Sequence, residues 1–419
     1  KVIDFPVQGV LTNIRLCLRN KIKNYILLKM PSLLPNGPDP NGLYEYSVVY
    51  TDRALNHMSV EFKQVMKTLN NSLKKVYNAD ATVIVPGSGT YAMEAVARQF
   101  ALNKKVMVIR NGYFSYRWTQ ILQQGNIMKE ERVIKAQAIN KNGNNRQFQP
   151  ADINDVINAI KEYQPDVVFA PHVETAAGMI LPDNYLKQVA NAVHDIGGIF
   201  VLDCIASGCI WVDMKECNID VIISAPQKGW TGQSCCGMVM LSSTAITLLE
   251  TTTSNSFCTN LKAWYQVMQA YVNGGAKYYA TMPTDALRTL YYVIQEAEQY
   301  GFHALKEAQI KLGTMIRSIA KEYSLISVAS DLYAAPGVVV LYDPINYNKE
   351  GSSENMVQKF IKHNIQIVGG VPLMIDQNTN TINDQYRTFR IGLFGLDKLY
   401  NVEKTSLIFK QALSKVLNK

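Results

Sequence analysis

No stretch of this sequence strings together the roughly 18 apolar residues that a membrane-spanning helix requires, which excludes a helical membrane protein. Histidine is scarce, with five in 419 residues, and none stands at metal-ligand spacing with cysteine, so no metal site is expected. The seven cysteines are odd in number and contain no CxxC pair. Several sit in apolar runs, where a free thiol behaves as a small hydrophobe, and this usage points to a reducing compartment. The net charge of +8 is dispersed, with no arginine-rich tract or recognition helix; nucleic acid is not an expected partner, and a mildly basic surface suits carboxylate substrates. Internal repeats and low-complexity segments are missing. The opening stretch from Lys1 lacks the pattern of a signal peptide, and Leu417-Asn418-Lys419 is no peroxisomal address, so the cytoplasm is the expected location.

The length exceeds what one hydrophobic core usually serves. The expected division is an N-terminal arm over residues 1–50, a large domain over 51–299 and a smaller one over 300–419. Pro31, Pro35, Pro38 and Pro40 make the arm an extended loop. Apolar residues from Ser59 to Tyr77 recur at helical spacing. Short apolar runs then alternate with helical stretches: strands at Thr82–Val85, Lys105–Ile109, Val167–Ala170, Ile199–Leu202, Val221–Ser224 and Gly237–Leu241, and helices at Tyr91–Leu102, Arg117–Gln124, Ala151–Tyr163 and Asn184–Asp195. This alternation predicts an α/β fold whose mostly parallel sheet is covered on both faces. A long helix is expected from Thr284 past Gln299, followed by strands such as Val338–Leu341 and Thr388–Ile391.

Three places carry chemistry. In Gly87-Ser88-Gly89-Thr90 a strand gives way to small residues and a helix start, which aims backbone N–H groups outward as an anion cradle. A tight turn with a helix cap would look the same. No Gly-Lys-Ser/Thr follows, and the next strand ends at Arg110 rather than at an acidic residue, which disfavours a dinucleotide. The strand Ile199–Leu202 leads into Asp203, a lone carboxylate that either caps a turn or holds a positive charge beyond the strand's carboxyl end. The strand at Val221–Ser224 leads through Gln227 to Lys228, which is either an exposed loop lysine or an amine made nucleophilic by apolar surroundings. Together, in this order, the three match the needs of pyridoxal 5′-phosphate: donors for a phosphate, a carboxylate for the pyridine nitrogen and an amine for the aldehyde. Lys228 and Asp203 are therefore the candidate catalytic pair.

With its neighbouring motifs the chain resembles the class V aminotransferases, the alanine–glyoxylate or serine–pyruvate aminotransferase family. Gly87–Thr90 with Ala92-Met93-Glu94-Ala95 resembles the family's phosphate turn, which implies Ser88, Gly89 and Thr90 as cofactor ligands. Asn111-Gly112-Tyr113-Phe114 with Arg117 resembles the segment whose ring, here Phe114, stacks on the cofactor. His172-Val173-Glu174-Thr175 resembles the HxE(S/T) turn, with Thr175 facing the ring oxygen. Asp203-Cys204-Ile205-Ala206-Ser207 resembles the segment that pairs Asp203 with the pyridine nitrogen and packs Ile205 beneath the ring. Gln227-Lys228 resembles S-x-Q-K, with Gln227 near the phosphate. Tyr278-Tyr279-Ala280-Thr281-Met282-Pro283 resembles Y-x-x-T-x-P, which implies that Tyr278 and Thr281 reach the partner's cofactor in a homodimer with active sites at the subunit interface. Phe389-Arg390-Ile391-Gly392 resembles the R-I-G segment, which gives Arg390 to the substrate carboxylate; a planar fork of donors suits that task.

The resemblance implies a fold-type I transferase: a large domain with a mostly parallel seven-stranded sheet flanked by helices, plus a smaller C-terminal α+β domain. It implies transamination between a small amino acid, alanine- or serine-like, and a small 2-oxo acid, glyoxylate- or pyruvate-like. The sequence departs from the family at Pro35-Asn36-Gly37-Pro38, in place of Pro-Gly-Pro, and at Asn56-His57-Met58-Ser59, in place of a Gly-His-Arg-type segment. Competing readings are a class V lyase, an aminophosphonate transaminase and a catalytically silent protein on the same scaffold. A desulfurase would stack a histidine where Phe114 stands and carry a late cysteine, whereas none follows Cys258. The joint presence of Lys228, Asp203 and Arg390 argues against a silent scaffold.

Overall fold

Strands that are apolar along their whole length need cover on both faces, and the runs between residues 167 and 224 meet that condition. The computed structural model describes residues 45–51, 53–139, 145–344, 354–375 and 387–418. Seven strands form one sheet: β1 (Ala81–Pro86), β2 (Lys105–Arg110), β3 (Glu130–Lys135), β4 (Val167–Pro171), β5 (Ile199–Asp203), β6 (Val221–Ser224) and β7 (Cys236–Leu241), in the order β1-β7-β6-β5-β4-β2-β3. The four pairings from β6 across to β3 are parallel, and β7 runs antiparallel to both of its neighbours. Every residue of β4, β5 and β6 is buried. The register sets Pro171 beside Asp203 and Asp203 beside Ile223, so the carboxyl ends of three central strands open at one edge of the sheet.

Local chemistry explains where the helices differ from the sequence expectations. The helix expected from Ala151 starts at Ile153, because the Asp152 carboxylate accepts the N–H of Asn154 and caps it. The helix expected from Arg117 begins earlier, at Tyr113, where a carboxylate distant in sequence receives its first free N–H groups. The long helix from Thr284 ends at Tyr300; Gly301, at φ +98°, breaks the axis, and a second helix runs Phe302–Glu322. Beyond it, β8 (Val338–Tyr342), β9 (Val368–Gly369) and β10 (Thr388–Gly392) form an antiparallel sheet with β10 in the centre. Phe360, Phe389, Phe409, Leu312 and Leu413 fill a core between that sheet and its helices.

The described residues before Lys63 belong to a unit of their own. Within it Asn56 Nδ2 donates to Glu45 Oε2 at 2.9 Å, and the rings of Tyr50 and His57 lie 5.5 Å apart. The expected arm falls outside the described residues except for 45–50. Among the described residues no helix is long and apolar enough to cross a membrane.

Candidate active site

The turn after β1 needs glycine twice. Gly87 has φ +120°, and a Cβ there would sit 2.7 Å from the Tyr91 ring. A Cβ on Gly89 would lie 2.5 Å from Ile205 Cδ1, so glycine lets the helix Gly89–Phe100 start against the β5 turn without moving the Ile205 side chain. Ser88 stands at the N-cap position but makes no side-chain cap, which leaves its hydroxyl available.

The lysine turn is built the same way. A Cβ on Gly229 would come within 2.2 Å of the Gly208 carbonyl oxygen, so two backbones cross here with no room between them. Thr231 adopts φ +60°, a costly conformation for a β-branched residue, held by its N–H to Lys228 O and by Leu396 N–H donating to its Oγ1. Backbone strain beside a lysine in the turn that follows a buried strand is the kind of local cost that a functional turn carries.

These turns converge. Ser88, Gly89 and Thr90 line one cavity of about 210 Å³ together with Gln227 and Lys228. Phe114, Thr175, Asp203 and Ile205 line the same cavity. Arg390 stands nearby, its Cζ 5.7 Å from the centre of the Phe114 ring, with Nε donating to Gly369 O. Tyr278 and Thr281 are not among the lining residues; they lie on the surface with Tyr278 Oη 3.3 Å from Thr281 Oγ1.

The electrostatics are those of groups kept short of partners. Asp203 is buried, and among the described residues the one hydrogen bond to its carboxylate is from Ile205 N–H, at 2.9 Å. Burial is the main force raising its pKa, to about 6; that hydrogen bond lowers it and the nearby Glu174 raises it further. Lys228 Nζ makes no hydrogen bond or ion pair among the described residues. Burial pushes its pKa down; Asp203 opposes this, while Arg390 and Arg117 reinforce it. A buried carboxylate with a raised pKa and a half-buried amine with a lowered one face the same cavity, and both are suited to holding or moving a proton there.

Three further residues belong to the site. Arg117 lines the cavity and donates from Nη1 to Thr90 Oγ1 at 3.1 Å. Phe394 places its ring centre 5.6 Å from Lys228 Nζ, and the Phe114 ring centre lies 6.0 Å from the same atom. Glu174, fully buried, accepts backbone N–H groups of the Phe114 helix. Glu174 stands next to Thr175 in the quoted motif, and a carboxylate inside an apolar run was the available signal. Nothing local marks Phe394, which meets Lys228 only through the fold. His172 lies behind the site, with Nδ1 2.7 Å from Ser207 Oγ; burial, then Lys306, lowers its pKa to about 3, so it is neutral.

Comparison with known proteins places the chain. The sequence profile of the class-V aminotransferases matches residues 41–370, and the chain belongs to that family. It is an aminotransferase. It is 23% identical over 340 residues to alanine–glyoxylate aminotransferase 1 of Saccharomyces cerevisiae, covering 76% of this chain and 82% of that one. It is 25% identical over 282 residues to 2-aminoethylphosphonate–pyruvate transaminase of Bacillus cereus, covering 67% of this chain and 72% of that one. The crystal structure of alanine–glyoxylate aminotransferase from Nostoc sp. superposes with a TM-score of 0.71 at 18% identity, over 87% of this chain and 89% of that one. The α/β architecture is therefore that of the fold-type I aminotransferases.

Proposed function

We propose that this aminotransferase uses pyridoxal 5′-phosphate to move an amino group from a small amino acid to a small 2-oxo acid. The observation that carries the reading is the meeting, in one cavity, of the glycine-lined helix start, the buried Asp203 carboxylate and the Lys228 amine. The residues fit the cofactor. Asp203 is a buried acceptor with unused capacity, and the close approach at Gly89 clears N–H groups for a phosphate.

When bound, the cofactor supplies an electron sink for the bond broken at the substrate's Cα. Ser88, Gly89, Thr90 and Gln227 hold its phosphate. Phe114 and Ile205 would pack against its ring, Thr175 would offer a hydroxyl to it, and the Asp203 carboxylate would hold a proton on its ring nitrogen. Lys228 would anchor it through the side-chain amine and would serve as the base for the proton on the substrate's Cα; a pKa lowered by burial suits that task. Arg390 grips the substrate carboxylate through two parallel hydrogen bonds. Phe114 and Phe394 both place their rings within 6.0 Å of Lys228 Nζ, and aromatic bulk this close to the amine favours a short side chain on the amino donor.

The proposed assembly is a homodimer in which Tyr278 and Thr281, half-exposed and away from their own cavity, reach the partner's cofactor phosphate. The division into an arm, a large domain (51–299) and a small domain (300–419) is supported by the confinement of the two main sheets to residues 81–241 and 338–392. Five buried free cysteines, at 204, 209, 217, 235 and 236, support a cytoplasmic location.

A second reading, transamination of 2-aminoethylphosphonate with pyruvate, is favoured by Arg117, an extra cation in the cavity, and by the Bacillus cereus relative. The test loads the protein with pyridoxal 5′-phosphate and offers alanine with glyoxylate against 2-aminoethylphosphonate with pyruvate. Pyruvate and glycine in the first mixture support the main reading. Turnover only of the phosphonate supports the second, and a chain that takes up no cofactor ends both.

A further inference from the structure

We propose that Glu174 is a positioning residue of this site: its carboxylate fixes the start of the helix that carries Phe114 and Arg117, and its charge balances the cations gathered around the Phe114 ring. The inference rests on the proposed cofactor and activity. Glu174 ends a two-residue strand just past β4, and its side chain is fully buried. Four donors converge on it. Oε1 accepts from Phe114 N–H at 3.2 Å and Ala176 N–H at 2.9 Å; Oε2 accepts from Ser115 N–H at 2.9 Å and Ser115 Oγ at 2.7 Å. Phe114 and Ser115 supply two of the otherwise unpaired N–H groups at the start of the helix Tyr113–Gln124, and Gly112 before it has no side chain with which to cap them. A carboxylate placed there also meets the positive end of the helix. The glycine at 112 follows from the same contact, because a Cβ there would lie 2.6 Å from Glu174 Cγ.

The helix start therefore cannot shift without breaking charged hydrogen bonds, and Phe114 is its second residue. Around the Phe114 ring centre lie Arg117 Cζ at 5.5 Å, Arg390 Cζ at 5.7 Å and Lys228 Nζ at 6.0 Å. Three cations this close, with Asp203 and Glu174 as the anions that act on them, need both negative charges to coexist out of water. Glu174 favours the protonated forms of Lys228, Arg390 and Asp203. A plain helix cap would support stability alone; a residue that also sets the field at the cavity changes the titration of the site.

The experiment compares wild type with Glu174→Gln, each loaded with pyridoxal 5′-phosphate. In the variant the amide N–H₂ must face at least one backbone N–H donor in either orientation, and the charge is gone. Expected are a weaker induced circular dichroism of the bound cofactor, a lower pH midpoint for its visible band, and a kcat reduced on the order of tenfold to a hundredfold with little change in the donor KM. A wild-type midpoint and a wild-type induced signal in the folded variant overturn the inference. If Glu174→Gln does not fold, Ser115→Ala removes one donor and keeps the charge; it should weaken the induced signal and leave the midpoint in place, and an unchanged signal is equally fatal. A wild-type protein that fails to take up the cofactor sinks the proposed function and this inference with it. An unaffected variant of a well-loaded protein sinks only the inference.

Discussion

The two ends of the central sheet hold similar residues in opposite conditions. At the amino ends of β5 and β6 lies the larger cleft, about 760 Å³, lined by residues that include Asp80, His194, Lys215, Asp220 and Ser242. Its charges answer one another. Asp220 accepts from His194 Nε2 at 2.7 Å, Phe200 N–H at 2.8 Å and Ser242 Oγ at 3.3 Å, and Asp80 takes Ser243 N–H and Lys215. The Asp220 hydrogen bond raises the pKa of His194 against the opposing effect of burial. At the carboxyl ends the cavity is smaller, yet Asp203 is buried and Lys228 half-buried with almost nothing among the described residues to satisfy them. Size does not mark the site. Unspent hydrogen-bonding capacity and opposed pKa shifts do, because a group already paired has little left to offer a ligand.

The comparison breaks or holds on variants from each end. Lys228→Ala should lower transaminase activity roughly 10³-fold or more and abolish covalent labelling by borohydride in the presence of the cofactor, while the melting temperature stays level or rises. Asp220→Asn should do the reverse, costing roughly 3 kcal/mol in denaturant unfolding with activity per folded molecule unchanged. A loss of specific activity in that variant without a loss of stability would erase the distinction. Asp203→Asn should reduce kcat about a hundredfold. It also carries a pH signature. A carboxyl whose folded pKa is raised from 3.8 to about 6 binds its proton more tightly when folded, so it lowers stability as pH rises through that window. Thermal melts of the cofactor-free protein should show wild type falling relative to Asp203→Asn between these pH values, and added pyridoxal 5′-phosphate should cancel the difference. The smallest effect is expected for Phe394→Ala, which should move the preference toward bulkier amino donors by about tenfold in kcat/KM ratios, read from a donor series. An unchanged series would remove Phe394 from the substrate slot.

Legibility followed sequence distance and burial. β4, β5 and β6 stand out as unbroken apolar runs because both their faces are covered, and the residues that end them, Asp203 and the turn to Lys228, inherit that clarity. β3, Glu130–Lys135, is absent from the sequence reading because it is an edge strand: its residues are half-exposed, and its charges mask the alternation. The helix after Gly301 was folded into a vaguer C-terminal domain, since one glycine in a helical pattern does not announce a break of axis. The resemblance gathered residues that face one cavity but passed over Arg117, Glu174 and Phe394 as site residues. Glu174 acts on residues 59 and 60 positions earlier, and Phe394 meets Lys228 across 166; neither partnership leaves a periodic trace.

The crossing of Gly208 and Gly229 sets a rule for anyone redesigning this scaffold. With a carbonyl oxygen 2.2 Å from where a methyl would go, neither alanine nor anything larger can enter at residue 229 without displacing the lysine turn from its seat. A mutagenesis library aimed at new amines should freeze that crossing and spend its diversity on aromatic positions such as 394, where a smaller side chain opens space and leaves the anchor undisturbed.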